Sequence, residues 1–218
     1  MKHFFIFSLL LFIVTSSEVV SSDNSVNYNQ LFERDGVFYS KIDNTPFSGS
    51  ASFIVNGTLI TKDKLKDGIV FYRESFCKNG LRKAELHFIE NNVFKDGNYK
   101  KKHCNGNIDR EFSIKDGQYD GLAKIYFENG LLNVQTFYSK GLRNGTEHLF
   151  YENGNIKSTS IYINDKLNGT QTNYHPIDGS IWNRKQFRDG VLNGSADYFE
   201  LNGTLLAHTI FKNGSIIT

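Results

Sequence analysis

The stretch Asp116 to Thr136, DGQYDGLAKIYFENGLLNVQT, decides the fold, because its pattern recurs before and after it along the chain. Aligned on its second-turn glycine, the copies place glycine at Gly57, Gly80, Gly106, Gly130, Gly154, Gly179 and Gly203, with gaps of 23 to 26 residues. These are seven copies. A period in this range means units that bury their apolar sides only by stacking on one another.

Each copy carries two turn signals. One is the Asn-Gly or Asp-Gly ending at those glycines. The other follows eleven residues later, at Asp67-Gly68, Asp116-Gly117, Lys140-Gly141, Asp189-Gly190 and Asn213-Gly214, with Asn91 and Asp165 where glycine is absent. Both read as two-residue hairpin loops, in which both residues take positive φ. Two strands per copy predict an all-β chain: an elongated, twisted antiparallel meander of seven β-hairpin repeats and fourteen strands.

Side-chain columns agree. Leu59, Ile108, Leu132, Ile156, Ile181 and Leu205 stand two residues past the glycine, and Leu65, Phe88, Ile114, Tyr138, Tyr162, Phe187 and Phe211 eight past it. Equal parity puts both columns on one face. The intervening positions, such as Lys62, Lys64, Glu85, Gln135 and Lys157, are polar, which predicts one apolar face and one wet face. Arg82 and Lys102 break the columns, so the sheet is expected to be least regular in repeats two and three.

The units Gly121 to Leu132 (GLAKIYFENGLL) and Gly145 to Ile156 (GTEHLFYENGNI), recurring around Lys-Gly or Asp-Gly turns, resemble variant MORN repeats. The opening Glu33 to Gly49, ERDGVFYSKIDNTPFSG, is similar to the leader of YwqK-type antitoxin-like repeat proteins. The resemblance spans roughly Glu33 to Thr218. It implies β-hairpin units with protein or membrane association. The chain lacks the G-x-G element of lipid-linked MORN repeats, which speaks against a lipid role.

The 218 residues divide into a leader, 1–22, a linker with a capping strand, 23–46, and the repeats, 47–218. Met1 to His3 are a short basic start and Phe4 to Val14 an apolar run too short to span a bilayer, so the leader reads as a secretory signal peptide, with an uncleaved anchor as the alternative. Secretion, to a periplasm, a cell surface or the medium, is the expected destination. Asp23 to Gln30 is expected to be a loose polar linker. With 25 basic against 23 acidic residues there is no uniform field to draw the chain onto nucleic acid. Nineteen Phe, eleven Tyr and nineteen Gly against two Pro fit strands and tight turns.

No catalytic, metal or cofactor motif appears. The six histidines are scattered, and His103 and His175 share an aromatic column with Phe127 and Tyr151. Cys77 and Cys104 lie in neighbouring copies near the same sheet edge, and an even pair in an oxidising compartment suggests a disulfide. Equivalent strands are about 9.6 Å apart, beyond the usual Cα reach of about 7 Å, so the bond requires that the loops approach. Six N-x-[ST] sequons, at Asn56, Asn144, Asn168, Asn193, Asn202 and Asn213, all belong to Asn-Gly-[ST] turns and are glycan acceptors only in a eukaryotic secretory pathway.

The expectation is therefore a non-catalytic secreted scaffold that binds a protein partner or itself through the aromatic column Tyr126, Phe150, Tyr174 and Phe199, because exposed aromatic surface marks contacts. An exported antitoxin or immunity-type inhibitor, or a glycan-binding surface protein, are the alternatives.

Overall fold

In the computed structural model, residues 24–89 and 93–217 are described; the leader and Asn91 lie outside them. The N-terminal segment is built into the fold. Strand β1 (Ser25–Asn27) pairs in parallel with β4 (Gly49–Val55), and a short 3₁₀ turn, Tyr28–Gln30, follows under a capping box from Asn27. This corrects the loose linker: Ser50 N–H donates to Asn24 C=O at 2.8 Å, and the Tyr28 ring packs edge-on against Phe38. Strands β2 (Leu31–Arg34) and β3 (Val37–Ser40) form a separate hairpin.

From β4 onward the chain is a meander. Through β5 (Thr58–Lys66), β6 (Ile69–Phe76) and β7 (Arg82–His87) each strand pairs antiparallel with the next. The next members are β8 (Gly97–Lys102), β9 (Ile108–Lys115) and the interrupted strand β10 (Gln118–Tyr119) with β11 (Gly121–Tyr126). Then come β12 (Leu132–Ser139), β13 (Leu142–Arg143) with β14 (Gly145–Phe150), and β15 (Ile156–Ile163). The array continues through β16 (Lys166–Leu167) with β17 (Gly169–Tyr174), β18 (Ile181–Arg188), β19 (Val191–Phe199), β20 (Leu205–Lys212) and a stub, β21 (Ser215–Ile216). Counting each interrupted strand once, β4 to β20 are the fourteen strands expected. The irregular place is also as expected: β7 meets β8 through a single pair, Ala84 with Lys101.

The two turn families differ. Asp67-Gly68, Asp116-Gly117, Lys140-Gly141, Asn164-Asp165, Asp189-Gly190 and Asn213-Gly214 have positive φ at both residues and are two-residue loops. The other family does not fit that expectation after Asn56-Gly57. At Glu128-Asn129-Gly130 only the glycine is left-handed, φ 87°, while Gly130 N–H donates to Phe127 C=O and Phe127 N–H to Leu131 C=O. This is a three-residue loop, a type I turn closed by a bulge glycine. It returns at Cys77, His103, Tyr151 and Glu200.

The core is uneven along the array. Leu31, Phe47, Ala51, Leu65 and Val70 form one buried cluster, where the β2–β3 hairpin folds over β4 to β6, and Tyr99, Phe112 and Ile114 form a second. Gly68 is forced by this cap, since a Cβ there would lie 2.4 Å from Val37. Beyond Ala123 the only buried apolar side chain among the described residues is Ala196; Thr136, Ser158, Ser160, Thr172 and Asn183 are buried instead. The expectation of one apolar and one wet face is therefore corrected. Phe137 and Ile161, on the face assigned to water, are large, apolar and 47% and 42% exposed.

Candidate functional site

A line of rings runs across the strands from the cap into the repeats. Phe88, Phe94, Tyr99, Phe112, Tyr119 and Tyr138 follow one another at centroid distances of 5.1 to 5.4 Å. Ring pairs at such spacing contribute about 0.5–1.5 kcal/mol beyond area burial. The line continues by charge: the Arg143 guanidinium lies 3.9 Å over the Tyr162 ring.

Where the packed half gives way to the repeats, this line floors a cleft of about 310 Å³ lined by Phe112, Tyr119, Tyr138, Arg143, Glu111 and Glu147, among others. Alternate residues of β9 to β14 supply it because directly paired residues of neighbouring strands share a face, as Ala123 with Thr136 and Tyr138 with Arg143 do. Tyr119 is 40% exposed and presents its ring to solvent. The charges are mutually arranged. Arg143 reaches Asp165 at 3.0 Å and Glu147 at 3.6 Å, and Asp165 is held below the usual carboxylate range by the Arg143 backbone N–H and guanidinium. Glu111 pairs with Lys100 at 2.7 Å and accepts from the Tyr126 hydroxyl at 2.8 Å, which lowers its carboxyl. Burial and that same bond push Tyr126 up to about 12. The cleft thus presents flat rings between fixed charges of both signs, an arrangement able to stack on a flat group and to hydrogen-bond at its rim.

The expected binding column lies elsewhere. Tyr126, Phe150, Tyr174 and Phe199 sit at the strand ends beside the loops, half-buried, one per hairpin, and their neighbours use them. Tyr126 and Tyr174 lend their carbonyls to His103 and to the Tyr151 hydroxyl, each at 3.0 Å, and Arg184 lies 5.1 Å over Phe199. Of the column, Tyr126 alone reaches the cleft region, through Glu111.

The loop edge holds an amide ladder. Asn79, Asn105, Asn129 and Asn153 each accept a backbone N–H two residues on, and each donates Nδ2 to a carbonyl of the next loop, at Cys104, Glu128, Glu152 and Pro176, over 2.7 to 3.0 Å. These loops lean together, and that answers the distance objection to the disulfide. Cys77 and Cys104 are bonded, with Cα atoms 5.6 Å apart. Cys104 sits in the loop itself, one position further than Cys77, and so comes within reach.

Deeper in the packed half, Asp63 has no exposed surface. Its carboxylate takes the Arg73 guanidinium at 2.8 and 2.6 Å and the Tyr28 hydroxyl. Burial, then the bond to Asp63, raises the Tyr28 pKa, and the bond to Asp63 raises that of Arg73. Sequence reasoning missed this group although a signal existed: Asp63 is six residues past Gly57, on the inward parity.

Among the described residues no group of three or more His, Cys, Asp or Glu is placed to hold a metal. His103 and Tyr151 fill equivalent slots, as the aromatic column implied; His175, in the same column, has its Nε2 buried without a partner. No protein-family model matches the chain, and a search of curated proteins finds no relative.

Proposed function

We propose that the chain is an exported, non-catalytic repeat scaffold, akin to variant MORN arrays, that grips a protein partner through the cleft of Phe112, Tyr119, Tyr138 and Arg143. The observation that carries this reading is the cleft itself, where aromatic rings and arginine, the side chains enriched at binding hot spots, line a concave, partly exposed surface. A disulfide at the loop edge supports export, because such bonds persist in oxidising compartments. An exported inhibitor of the antitoxin or immunity type is one form such a scaffold takes. The test is capture from secreted and surface extracts of its source with the chain from Asp23 onward, beside Tyr119→Ala and Arg143→Ala. One stoichiometric protein held by the parent and lost by both variants, with unchanged circular dichroism, supports the reading. Equal recovery by all three overturns it. Stacking of an oligosaccharide on the Tyr119–Tyr138 pair, tilted 35° at 5.3 Å, is the second reading. A sugar-array signal abolished by Tyr119→Ala, with no protein captured, would replace the first.

A further inference from the structure

We propose that Asn144 and Asn168 carry N-linked glycans, which cover the exposed apolar row of the central repeats; this rests on the export proposed above. The structure separates the six sequons. Asn56 and Asn213 hold left-handed backbone, φ 48° and 51°, so the turn itself selects asparagine there. Asn202 accepts from Thr204 N–H at 2.8 Å, and Asn193 donates to Asn213 at 3.4 Å while Ser195 is tied to Asp197. Asn144 and Asn168 have neither excuse. Their backbones lie outside the left-handed region, and among the described residues their side-chain amides have no hydrogen-bond partner.

The same column in other hairpins shows what the fold asks of it. Ser48, Asp96 and Asp120 accept the N–H groups of Asp67, Gly117 and Lys140 at 2.8, 3.5 and 3.2 Å, capping the neighbouring turn. At the Asn144 hairpin Asp165 does the equivalent work, accepting from Arg143 N–H at 3.0 Å. The intervening glycines are structural. A Cβ at Gly145 or Gly169 would come within 3.2 Å of Phe137 or Ile161, at φ 133° and 121°. The asparagine before them and the exposed Thr146 and Thr170 after them are not so constrained, and they complete the sequon.

A second observation points to the same edge. Asn144 N–H donates to Phe137 C=O, Asn168 N–H to Ile161 C=O, and Thr146 pairs directly with Ile161. Sugars on these amides would lie beside Phe137 and Ile161, the two large apolar residues left 47% and 42% exposed. In the transfer, Nδ2 attacks C1 of a lipid-diphosphate-linked oligosaccharide. The C1–O bond breaks with its electron pair going to the diphosphate, and Nδ2 loses a proton. Phe137 lies between the cleft residues Thr136 and Tyr138 in sequence, hence on the opposite face, so the glycans leave the cleft open.

The experiment expresses the full chain in a eukaryotic secretory host, with its own leader and in parallel with a host leader, and maps peptides after N-glycosidase. Conversion of Asn144 and Asn168 to Asp, with one mobility step lost in each of Asn144→Gln and Asn168→Gln and none in Asn193→Gln, supports the proposal. Secreted protein bare at both positions overturns it. Absence from the medium with its own leader, but secretion with the host leader, counts against export alone, and the glycan outcome is then read from the second form. Binding of an apolar dye that rises after deglycosylation and falls again in Phe137→Ser supports the covering role; no change removes that role.

Discussion

The two halves of the array share one hairpin plan and are held by different forces. Up to Ala123 a cap hairpin lies over the sheet, Phe47, Leu65, Tyr99 and Phe112 are buried, and a buried carboxylate is tied to an arginine and a tyrosine. After Ala123 the ladder of backbone bonds continues, but among the described residues the buried positions, Ala196 apart, are threonine, serine and asparagine. Long charged side chains there lie along aromatic rings: Arg143 over Tyr162, Arg184 over Phe199 and Lys185 over Tyr198. A single-layer sheet has no second layer to bury large apolar groups, so small residues are what its face can bury. The difference teaches that the repeat specifies pairing and turns, while apolar core forms only where something outside the repeat covers it.

The contrast breaks most directly at Asp63. Asp63→Ala leaves Arg73 and Tyr28 without their partner; removal of one member of a buried pair costs about 3–5 kcal/mol, and because the Arg73 side chain is 35% exposed the loss should fall at the lower end of that range. Urea unfolding is expected to show that loss. A shift below about 1 kcal/mol would mean that the triad adds nothing to the packed half.

The same contrast predicts unequal phenylalanines. Phe47→Ala, at 4% exposure, should cost about 4 kcal/mol, whereas Phe137→Ala, at 47%, should cost under about 1 kcal/mol. Equal losses would show that the second half hides a core of its own. Next in size is the bond that clamps the irregular repeats. Closing a loop with a sequence separation of 27 corresponds to about 3.5 kcal/mol in the chain-entropy model. The double variant Cys77→Ser with Cys104→Ser should lose about that much, and reductant should destabilise the parent and leave the variant unmoved.

Much of this was legible in the sequence, for a physical reason. Asn-Gly and Asp-Gly report local backbone geometry, so Gly57 to Gly203 announce the period, the strand number and the antiparallel order without tertiary information. Burial is not local. Leu132 and Tyr138 mark the inward parity, but Thr136 between them, and then Ser158 and Ser160 in the next repeat, show that the inward face turns polar, and that signal lies in positions four and six after the glycine. The loop asparagines read as turn formers alone in the sequence because Nδ2 acts on a residue 23 to 25 positions away, which no turn rule contains. The cleft, likewise, depends on Tyr119 and Tyr138 meeting across strands from different hairpins.

The smallest expected effect tests that ladder, which runs along the loop edge of both halves. Asn129→Asp keeps the acceptor for Leu131 N–H and removes the donor to Glu152 C=O, so it should cost about 1 kcal/mol, the net worth of one hydrogen bond. The chain contains its own control. Asp178 occupies the loop position corresponding to Asn129, accepts from the Ser180 N–H and hydroxyl, and is held below the usual carboxylate range by those two bonds. A carboxyl lowered in the folded state stabilises above the unfolded value near pH 4, and that contribution is lost as pH falls through the lower folded value. Asp178→Asn should therefore flatten the acid limb of the stability profile, while Asn129→Asp should steepen it. If Asn129→Asp is neutral at pH 7 and leaves the acid limb unchanged, the ladder is a consequence of how the loops stack and not a cause of it.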